Sequence, residues 1–285
     1  MLPPLSTLVC FNNIDTIVPI TAGLSSQCFQ VFADNKYFFA KKITTTDEPI
    51  VSIYAASKGI SPTIIYHDEH WLITDFINGN NLSLEEHTLD EKIMVATKLM
   101  AQCHQFKVGI DKLVPKSVVS SLMGEQTFSA HQFSTQEKKT LLHYSESVIA
   151  SLNITKNKMN NASKNLVCCH GDINFSNIIV SLEQTAYLVD YECVCLAPAE
   201  YDLAMLIAIN NINEDKLLLI IELYQKYTES EIDQTLLKNY LQFCYFINGL
   251  WYARAYDNSD LAKFVHLAKQ QWQHLPFKQN SFFNL

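Results

Sequence analysis

The first part of the chain alternates apolar and polar positions in the manner of short β-strands. Five segments share this strand pattern: residues 17–20, 28–33, 37–43, 63–66 and 71–77. Asp34-Asn35 separates the second and third of them and predicts a tight hairpin turn. A helical pattern at residues 51–58, closed by Gly59, lies between the third and fourth. The pattern therefore predicts a small antiparallel sheet with one inserted helix.

Helical spacing of apolar residues dominates the rest of the chain. Thr88 and Ser134 each stand three residues before a glutamate, which is the capping-box spacing that begins a helix. Further helical patterns cover residues 201–210, 214–227, 231–249 and 259–275, whereas residues 107–132 show no clear period. We therefore expect an α+β protein that is β-rich up to about residue 77 and mostly helical after it.

Between these helices, residues 166–192 form two short apolar strands that end in polar side chains. His170-Gly-Asp172 follows the first strand, Asn177 comes five positions after Asp172, and Asp190 ends the second. A carboxylate accepts the proton of an attacking hydroxyl, while an amide oxygen and a second carboxylate suit magnesium. Such regular polar groups between apolar strands are costly unless a site uses them. The alternative is a strand-end turn capped by Asn177, with Asp190 exposed.

This order of residues resembles the catalytic and metal loops of the aminoglycoside phosphotransferase and choline kinase superfamily, which has His-Gly-Asp where protein kinases have His-Arg-Asp. Tyr191-Glu192 and the run Pro198-Ala-Glu-Tyr-Asp-Leu-Ala204 are similar to its small-alcohol kinases. The likeness extends in patches from about Gly23 to Leu275. It implies a protein-kinase-like fold of two lobes, a β-rich lobe at 1–77 and a mostly helical lobe at 78–285. It also implies an ATP-dependent transfer of a phosphoryl group to the primary hydroxyl of a small cationic metabolite, with Mg²⁺ as cofactor.

The resemblance also implies the catalytic and metal-binding roles. Asp172 accepts or orients the hydroxyl proton, Asn177 and Asp190 hold magnesium, and His170 orients the loop by hydrogen bonding. Glu192, with the neighbouring Tyr191, lies where it would meet the substrate or a second metal ion.

A nucleotide site is expected in the predicted sheet. Lys41 falls where kinases carry the phosphate-binding lysine, with Lys42 as the alternative, and solvated edge charges remain open for both. Glu48 either pairs with this lysine or is a surface acid. The other nucleotide contacts come from two loops: Gly23, Ser25 and Ser26 over the phosphates, and Asp75 and Ile77 at a hinge beside the adenine.

An aromatic segment near the C-terminus carries the predicted substrate contacts. Trp251 and Tyr252 form either a wall for a cationic aromatic substrate or part of the core. Arg254 is the only arginine in the chain, which indicates either a site for a carboxylate or phosphate or drift in a lysine-biased sequence. The pattern of this segment is most similar to bacterial thiamine kinases.

Composition narrows the class of protein further. A hydrophobic content of 48% and a charged content of 18% are those of a globular protein, and the net charge of −8 argues against a nucleic-acid partner. None of the eight cysteines forms a C-x-x-C pair, so reduced, packed thiols are expected. The N-terminus lacks a basic leader and no apolar run reaches membrane-spanning length, which predicts a cytoplasmic protein without a membrane partner.

Several functions remain open at this point. Thiamine is the preferred acceptor, followed by choline or ethanolamine and then by an aminoglycoside, whose amines would need more carboxylates than the sequence offers. A different class is a nucleotide-binding pseudokinase, which the poor glycine content around Gly23 favours. Asp172, Asn177 and Asp190 argue against it, because a binding module needs no proton acceptor.

Overall fold

The computed structural model describes residues 5–20, 27–124, 133–158, 166–259 and 262–276. The chain forms two compact units: the first comprises residues 1–111 and 168–195, and the second residues 112–167 and 196–285. The first unit is built around an antiparallel sheet and the second is mostly helical, which confirms the predicted α+β class. Because both units use two stretches of the chain, a lobe boundary after residue 77 stays a prediction.

Five antiparallel strands form the main sheet of the first unit. They are β1 Ile14–Ile20, β2 Cys28–Ala33, β3 Lys36–Lys42, β4 Ile64–His67 and β5 Trp71–Asp75. Their order in the sheet is β1-β2-β3-β5-β4. Asp34 and Asn35 have φ angles of +50° and +63°, as a two-residue turn needs to follow the twist of the strands it joins. The predicted hairpin is confirmed.

One face of this sheet is buried under the N-terminal segment. The buried cluster consists of Leu5, Leu8, Val31, Ala33, Phe38, Ala40, Trp71 and Ile73. Successive side chains of a strand point to opposite faces. Since Phe38 and Ala40 of β3 belong to this cluster, Phe39 and Lys41 point to the opposite face of the sheet.

A helix between β3 and β4 ends on a glycine, as the sequence predicts. α1 Asp47–Ser57 is closed by Gly59, whose φ is +72°. The N–H of Gly59 donates to the carbonyl of Ala56 and that of Ile60 to the carbonyl of Ala55, the hydrogen-bond pair of a Schellman motif. The helix begins four residues earlier than predicted, so Glu48 lies in its first turn and not in an irregular segment.

The first unit also contains a helix and a smaller sheet. The elements are β6 Gly79–Asn81, α2 Leu89–Cys103, β7 Val167–Cys169, β8 Ile178–Ser181 and β9 Ala186–Leu188, with β7 beginning one residue before the unit. The strands β6, β8 and β9 form a three-stranded sheet in that order. The N–H of Glu91 donates to the hydroxyl of Thr88, and the N–H of Thr88 donates to the carboxylate of Glu91. The capping box predicted for α2 is therefore confirmed.

Six helices account for most of the second unit as described. They are α3 Pro115–Leu122, α4 Thr135–Lys158, α5 Ala199–Ile209, α6 Leu217–Thr228, α7 Gln234–Ser259 and α8 Ala262–Trp272, and a short strand, β10 Cys195–Ala197, precedes α5. The Ser134–Glu137 capping box is present. α3 lies within the stretch for which the sequence indicated no element. None of the helices described here or in the first unit is long and apolar enough to cross a membrane. All eight cysteines lie in the described residues, and no disulfide joins any of them.

The helix predicted to end at Gly249 continues to Ser259. A Cβ added to Gly249 would lie 2.0 Å from Nε1 of Trp272, so glycine allows the close approach of α8 at this position. The indole N–H of Trp272 donates to the carbonyl of Phe246 at 3.2 Å. Glycine serves tertiary packing here, and the predicted end of the helix at residue 249 was wrong.

Replacing Gly249 by alanine is therefore expected to destabilise the protein by about 1–3 kcal/mol, the usual cost of overpacking. Without the contact with Trp272, alanine in a helix would be favoured over glycine by about 1 kcal/mol. A loss of stability therefore indicates overpacking, and a gain indicates helix propensity alone. Gly109→Ala is the matched control, because no atom lies within 4 Å of a Cβ at that position. Urea denaturation of both variants measures the difference, and an unchanged or raised stability of Gly249→Ala would contradict the packing argument.

Candidate active site

A buried lysine at the end of β3 lies among three carboxylates. Lys41 is 3% exposed, and its Nζ is 2.5 Å from Oε1 of Glu48 and 3.4 Å from Oε2 of Glu192. The same ammonium contacts Oδ1 of Asp190. Lys42, the alternative from the sequence, is half-buried and takes no part in these ion pairs. Glu48 is 1% exposed and pairs with Lys41, so it is not a surface acid.

The charges of this cluster do not balance. Burial by itself lowers the pKa of Lys41, but Asp190, Glu48 and Glu192 offset that effect and raise the pKa above its ordinary value. Burial raises the pKa of Glu48, and Lys41 opposes this shift only in part. One ammonium among three carboxylates leaves an excess of negative charge, which favours a further cation beside Asp190 and Glu192.

The segment after β7 carries the predicted catalytic residues. His170 is fully buried, and its Nδ1 lies 3.3 Å from the backbone nitrogen of Asp172. An N–H group can only donate, so Nδ1 accepts and the ring hydrogen is on Nε2. Nε2 then donates to the carbonyl of Val189 at 3.0 Å. His170 thus joins the segment of Asp172 to the segment of Asp190 through two hydrogen bonds.

Asn177 is held against Asp172 by its amide nitrogen. Nδ2 donates to Oδ2 of Asp172 at 2.8 Å and to its carbonyl at 3.1 Å. The backbone carbonyl of Asn177 accepts from the N–H of Val189 at 2.9 Å, which places Asn177 beside Asp190. Because the amide nitrogen faces Asp172, the oxygen of the same amide is the atom available to a cation.

Asp190 adopts a left-handed backbone conformation, with φ +71°. A non-glycine residue in this region is under strain and persists there only when its surroundings hold it. The two neighbouring residues are both held by hydrogen bonds, Val189 by Asn177 and His170, and Tyr191 by Ser61. The backbone around Asp190 is therefore fixed by its neighbours.

The structure corrects the substrate contact predicted for Tyr191. Its side chain is 2% exposed, its ring centroid is 4.9 Å from that of His170, and its hydroxyl is bonded to Ser61. Burial raises the pKa of Tyr191 well above its ordinary value. A side chain enclosed in this way supports the loop and has little surface to offer a substrate. Ser61 was missed in the sequence, where it lies just before the predicted strand at 63–66 and was given no role.

Gly171 is required by both its conformation and its neighbours. Its φ is +81°, and a Cβ at this position would lie 2.1 Å from the backbone oxygen of Cys193. The loop of Asp172 therefore lies directly against the backbone that follows Glu192.

Gly171→Ala is expected to lower both stability and turnover, since the left-handed conformation costs about 1–2 kcal/mol and the backbone contact adds to it. Gly59→Ala is the matched control: Gly59 has φ +72° but nothing within 4 Å of an added Cβ. We expect Gly59→Ala to lose only the stability that the left-handed conformation costs and to keep its turnover. Equal effects of the two substitutions on denaturation and rate would show that the contact with Cys193 is unimportant.

The remaining predicted nucleotide contacts fall into two groups. Gly23, Ser25 and Ser26 lie outside the described residues. Asp75 ends β5, where its Oδ1 is 2.5 Å from Nζ of Lys36, and Ile77 follows it and is half-buried.

A cleft lies against the face of the sheet that carries Lys41. Its lining residues are Phe39, Lys41, Glu48, Ser52, Ser61, Pro62, Ile64, Leu72, Thr74, Leu188, Val189, Asp190 and Tyr191.

The predicted aromatic substrate residues lie on α7 of the second unit. Trp251 is 36% exposed, and its ring centroid is 5.4 Å from that of Tyr252 and 6.5 Å from that of Phe264. Arg254 is exposed and so does not meet a buried carboxylate, whereas a role in binding phosphate or substrate stays a prediction. Trp251 and Tyr252 therefore belong to a partly exposed aromatic cluster, and their contact with a substrate stays a prediction.

Comparison with known proteins identifies the class. Residues 37–277 match the choline/ethanolamine kinase family, and the chain belongs to that family. It is accordingly a small-molecule kinase. A search of curated proteins finds no match to the sequence.

Solved structures of kinases share the fold over nearly the whole chain. A choline kinase from Cryptosporidium parvum has a TM-score of 0.72 at 17% identity and covers 91% of this chain and 87% of its own. A choline kinase from Streptococcus pneumoniae has a TM-score of 0.68 at 15% identity, with coverages of 92% and 93%. A spectinomycin phosphotransferase has a TM-score of 0.57 at 20% identity, with coverages of 94% and 92%. The predicted superfamily and its protein-kinase-like fold are confirmed.

Proposed function

We propose that this kinase transfers the γ-phosphoryl group of ATP to the primary hydroxyl of a small cationic alcohol. The observation that carries the proposal is the connected cluster of Lys41, Asp190, Asn177 and Asp172 within the first unit. ATP as donor is supported by relatives of the same fold: the Streptococcus pneumoniae choline kinase forms a complex with AMP, and the spectinomycin phosphotransferase one with ADP.

Asp172 is the group suited to receive the proton. Asn177 donates to its Oδ2, which fixes the carboxylate that would orient the acceptor hydroxyl. As the hydroxyl oxygen bonds to the γ-phosphorus, its proton passes to Asp172 and the bond to the β,γ-bridging oxygen breaks. The phosphorylated alcohol and ADP are the products. Phosphoryl transfer depends mainly on position and on neutralised charge, so few protein groups are needed.

The oxygen donors of the site fit magnesium. Asp190 and the amide oxygen of Asn177 are hard oxygen ligands of the kind that Mg²⁺ prefers, and Glu192 adds a third within the same cluster. Magnesium, when bound with the nucleotide, would neutralise charge that develops on the phosphates. Lys41 is suited to hold the α- and β-phosphates, because its ammonium is buried and kept charged by its neighbours.

A cationic acceptor suits the charge and the aromatic residues of the chain. Choline and ethanolamine are the acceptors that membership of the family supports. Thiamine remains a candidate because Trp251 and Tyr252, which pack against the buried Phe264, expose aromatic surface on which a cationic ring stacks as readily as a quaternary ammonium binds.

The test is ADP release by the purified protein with MgATP and, separately, choline, ethanolamine, thiamine and kanamycin. We expect turnover with at least one of the three cationic alcohols and none without magnesium. Turnover with thiamine alone would select the aromatic cluster as the pocket to map. Nucleotide binding without turnover on any acceptor would overturn the proposal in favour of a pseudokinase.

A further inference from the structure

A buried pair of hydroxyl groups joins the end of α1 to the segment that carries Asp190. Oγ of Ser61 lies 2.7 Å from the carbonyl of Leu188 and 2.6 Å from the hydroxyl of Tyr191. A carbonyl oxygen only accepts, so the single hydroxyl hydrogen of Ser61 goes to Leu188. Tyr191 must then donate to Ser61. Both hydroxyl hydrogens are used inside the first unit.

The segment around Asp190 is hydrogen-bonded from two sides, and the hydroxyl pair of Ser61 and Tyr191 belongs to one of them. On the same side, the N–H of Leu188 donates to the carbonyl of Ile60 at 2.7 Å. On the other side, Val189 is bonded through its N–H to Asn177 and through its carbonyl to His170. The residues directly before Asp190 are thus held from both sides, whereas Tyr191, directly after it, is held by Ser61.

The position of these bonds matters because of the strain at Asp190. Its left-handed conformation, with φ +71°, relaxes unless the flanking residues oppose it. The hydroxyl of Tyr191 is the group that anchors the C-terminal side of the strained residue. Glu192, the next carboxylate, is connected to the same anchor through one peptide bond.

We propose that Ser61 and Tyr191 are positioning residues whose hydroxyl pair holds Asp190 and Glu192 in place and so sets the affinity for the metal–nucleotide complex. This proposal rests on the proposed function, which requires that complex. Both residues act through Asp190 and Glu192, and neither is a catalytic residue.

Tyr191→Phe removes one hydroxyl and leaves the ring against His170. We expect two changes: affinity for Mn²⁺–ADP falls about three- to tenfold, the worth of one hydrogen bond, and amide hydrogen exchange at residues 188–192 becomes faster. Tyr144→Phe is the matched control, because it removes another hydrogen-bonded tyrosine hydroxyl, a partly buried one that is bonded to Gln242 at 3.0 Å in the second unit. It should leave both readouts at wild-type values.

Two substitutions at Ser61 complete the test. Ser61→Ala should weaken Mn²⁺–ADP binding at least as much as Tyr191→Phe, and the double variant should be no weaker than Ser61→Ala alone, since both remove the same bond. Ser61→Thr keeps a hydroxyl beside the cleft and should restore binding and exchange towards wild type.

The outcomes separate this proposal from the proposed function. Wild-type exchange and affinity in both Tyr191→Phe and Ser61→Ala would overturn the positioning role. Additive effects in the double variant would also overturn it, because the two side chains would then act independently. If the wild-type protein phosphorylates none of the acceptors while the variants still lose Mn²⁺–ADP affinity, the positioning role holds and the proposed function fails.

Discussion

An Asp172→Asn variant is expected to lose kcat by about 10²–10⁴-fold, the contribution of a positioned general base. The substitution keeps the size of the side chain, and an amide oxygen can still accept from Nδ2 of Asn177. Lys41, Glu48 and Asp190 are untouched, so nucleotide affinity should stay within about threefold of wild type. Steady-state kinetics with the preferred acceptor, together with calorimetric titration of ADP, measures both quantities.

Asp215→Asn is a suitable control for this experiment, because it makes the same chemical change at an exposed position of the second unit. It should leave kcat and nucleotide affinity unchanged. Undiminished turnover in Asp172→Asn would remove Asp172 from its role as proton acceptor. Loss of nucleotide binding together with turnover would indicate instead that the carboxylate supports the site structurally.

Lys41→Met is expected to produce two separable losses. Turnover should fall about 10²–10³-fold, because an ammonium group that stabilises charge on the phosphates is lost. Stability should fall by about 3–5 kcal/mol, since Glu48 is left as a buried charge without its partner. Glu48 is 1% exposed, so solvent cannot replace the lysine.

The double variant Lys41→Met/Glu48→Gln distinguishes the two losses. It removes the unpaired charge and should recover most of the stability while turnover stays low. Lys42→Met is the matched control, because the neighbouring lysine is half-buried and outside the ion pairs with Glu48, Asp190 and Glu192. If denaturation shows that Lys41→Met is as stable as Lys42→Met, the pair with Glu48 contributes nothing to folding.

The parts of the site that the sequence predicted are those with local signatures. Asp172 and Asn177 are five residues apart, and the hairpin of β8 and β9 returns the chain so that Asp190 arrives beside them. Lys41 lies on a strand that the sequence predicted, and the alternation of β3 places it on the face opposite the buried cluster. These relations depend on short stretches of chain whose geometry is regular.

The parts that the sequence did not predict depend on contacts between distant residues. Ser61 and Tyr191 are 130 positions apart, and nothing near either residue indicates that their hydroxyls meet. The continuation of α7 past Gly249 depends on Trp272 in another helix. A glycine chosen for close packing and a glycine chosen to end a helix look alike in the sequence, so only the tertiary contact distinguishes them.

The length of α1 determines whether the chain can accept an insertion between Glu48 and Ser61. Glu48 lies in its first turn and Ser61 lies just beyond its closing Schellman motif, and each contacts the cluster around Asp190 from one end of the helix. One inserted residue between them would rotate the two ends against each other by about 100° and separate them by about 1.5 Å. Both contacts could not then be made together. The eleven residues of α1 therefore act as a spacer of fixed length and phase, in which substitutions of exposed side chains are tolerated and insertions are not.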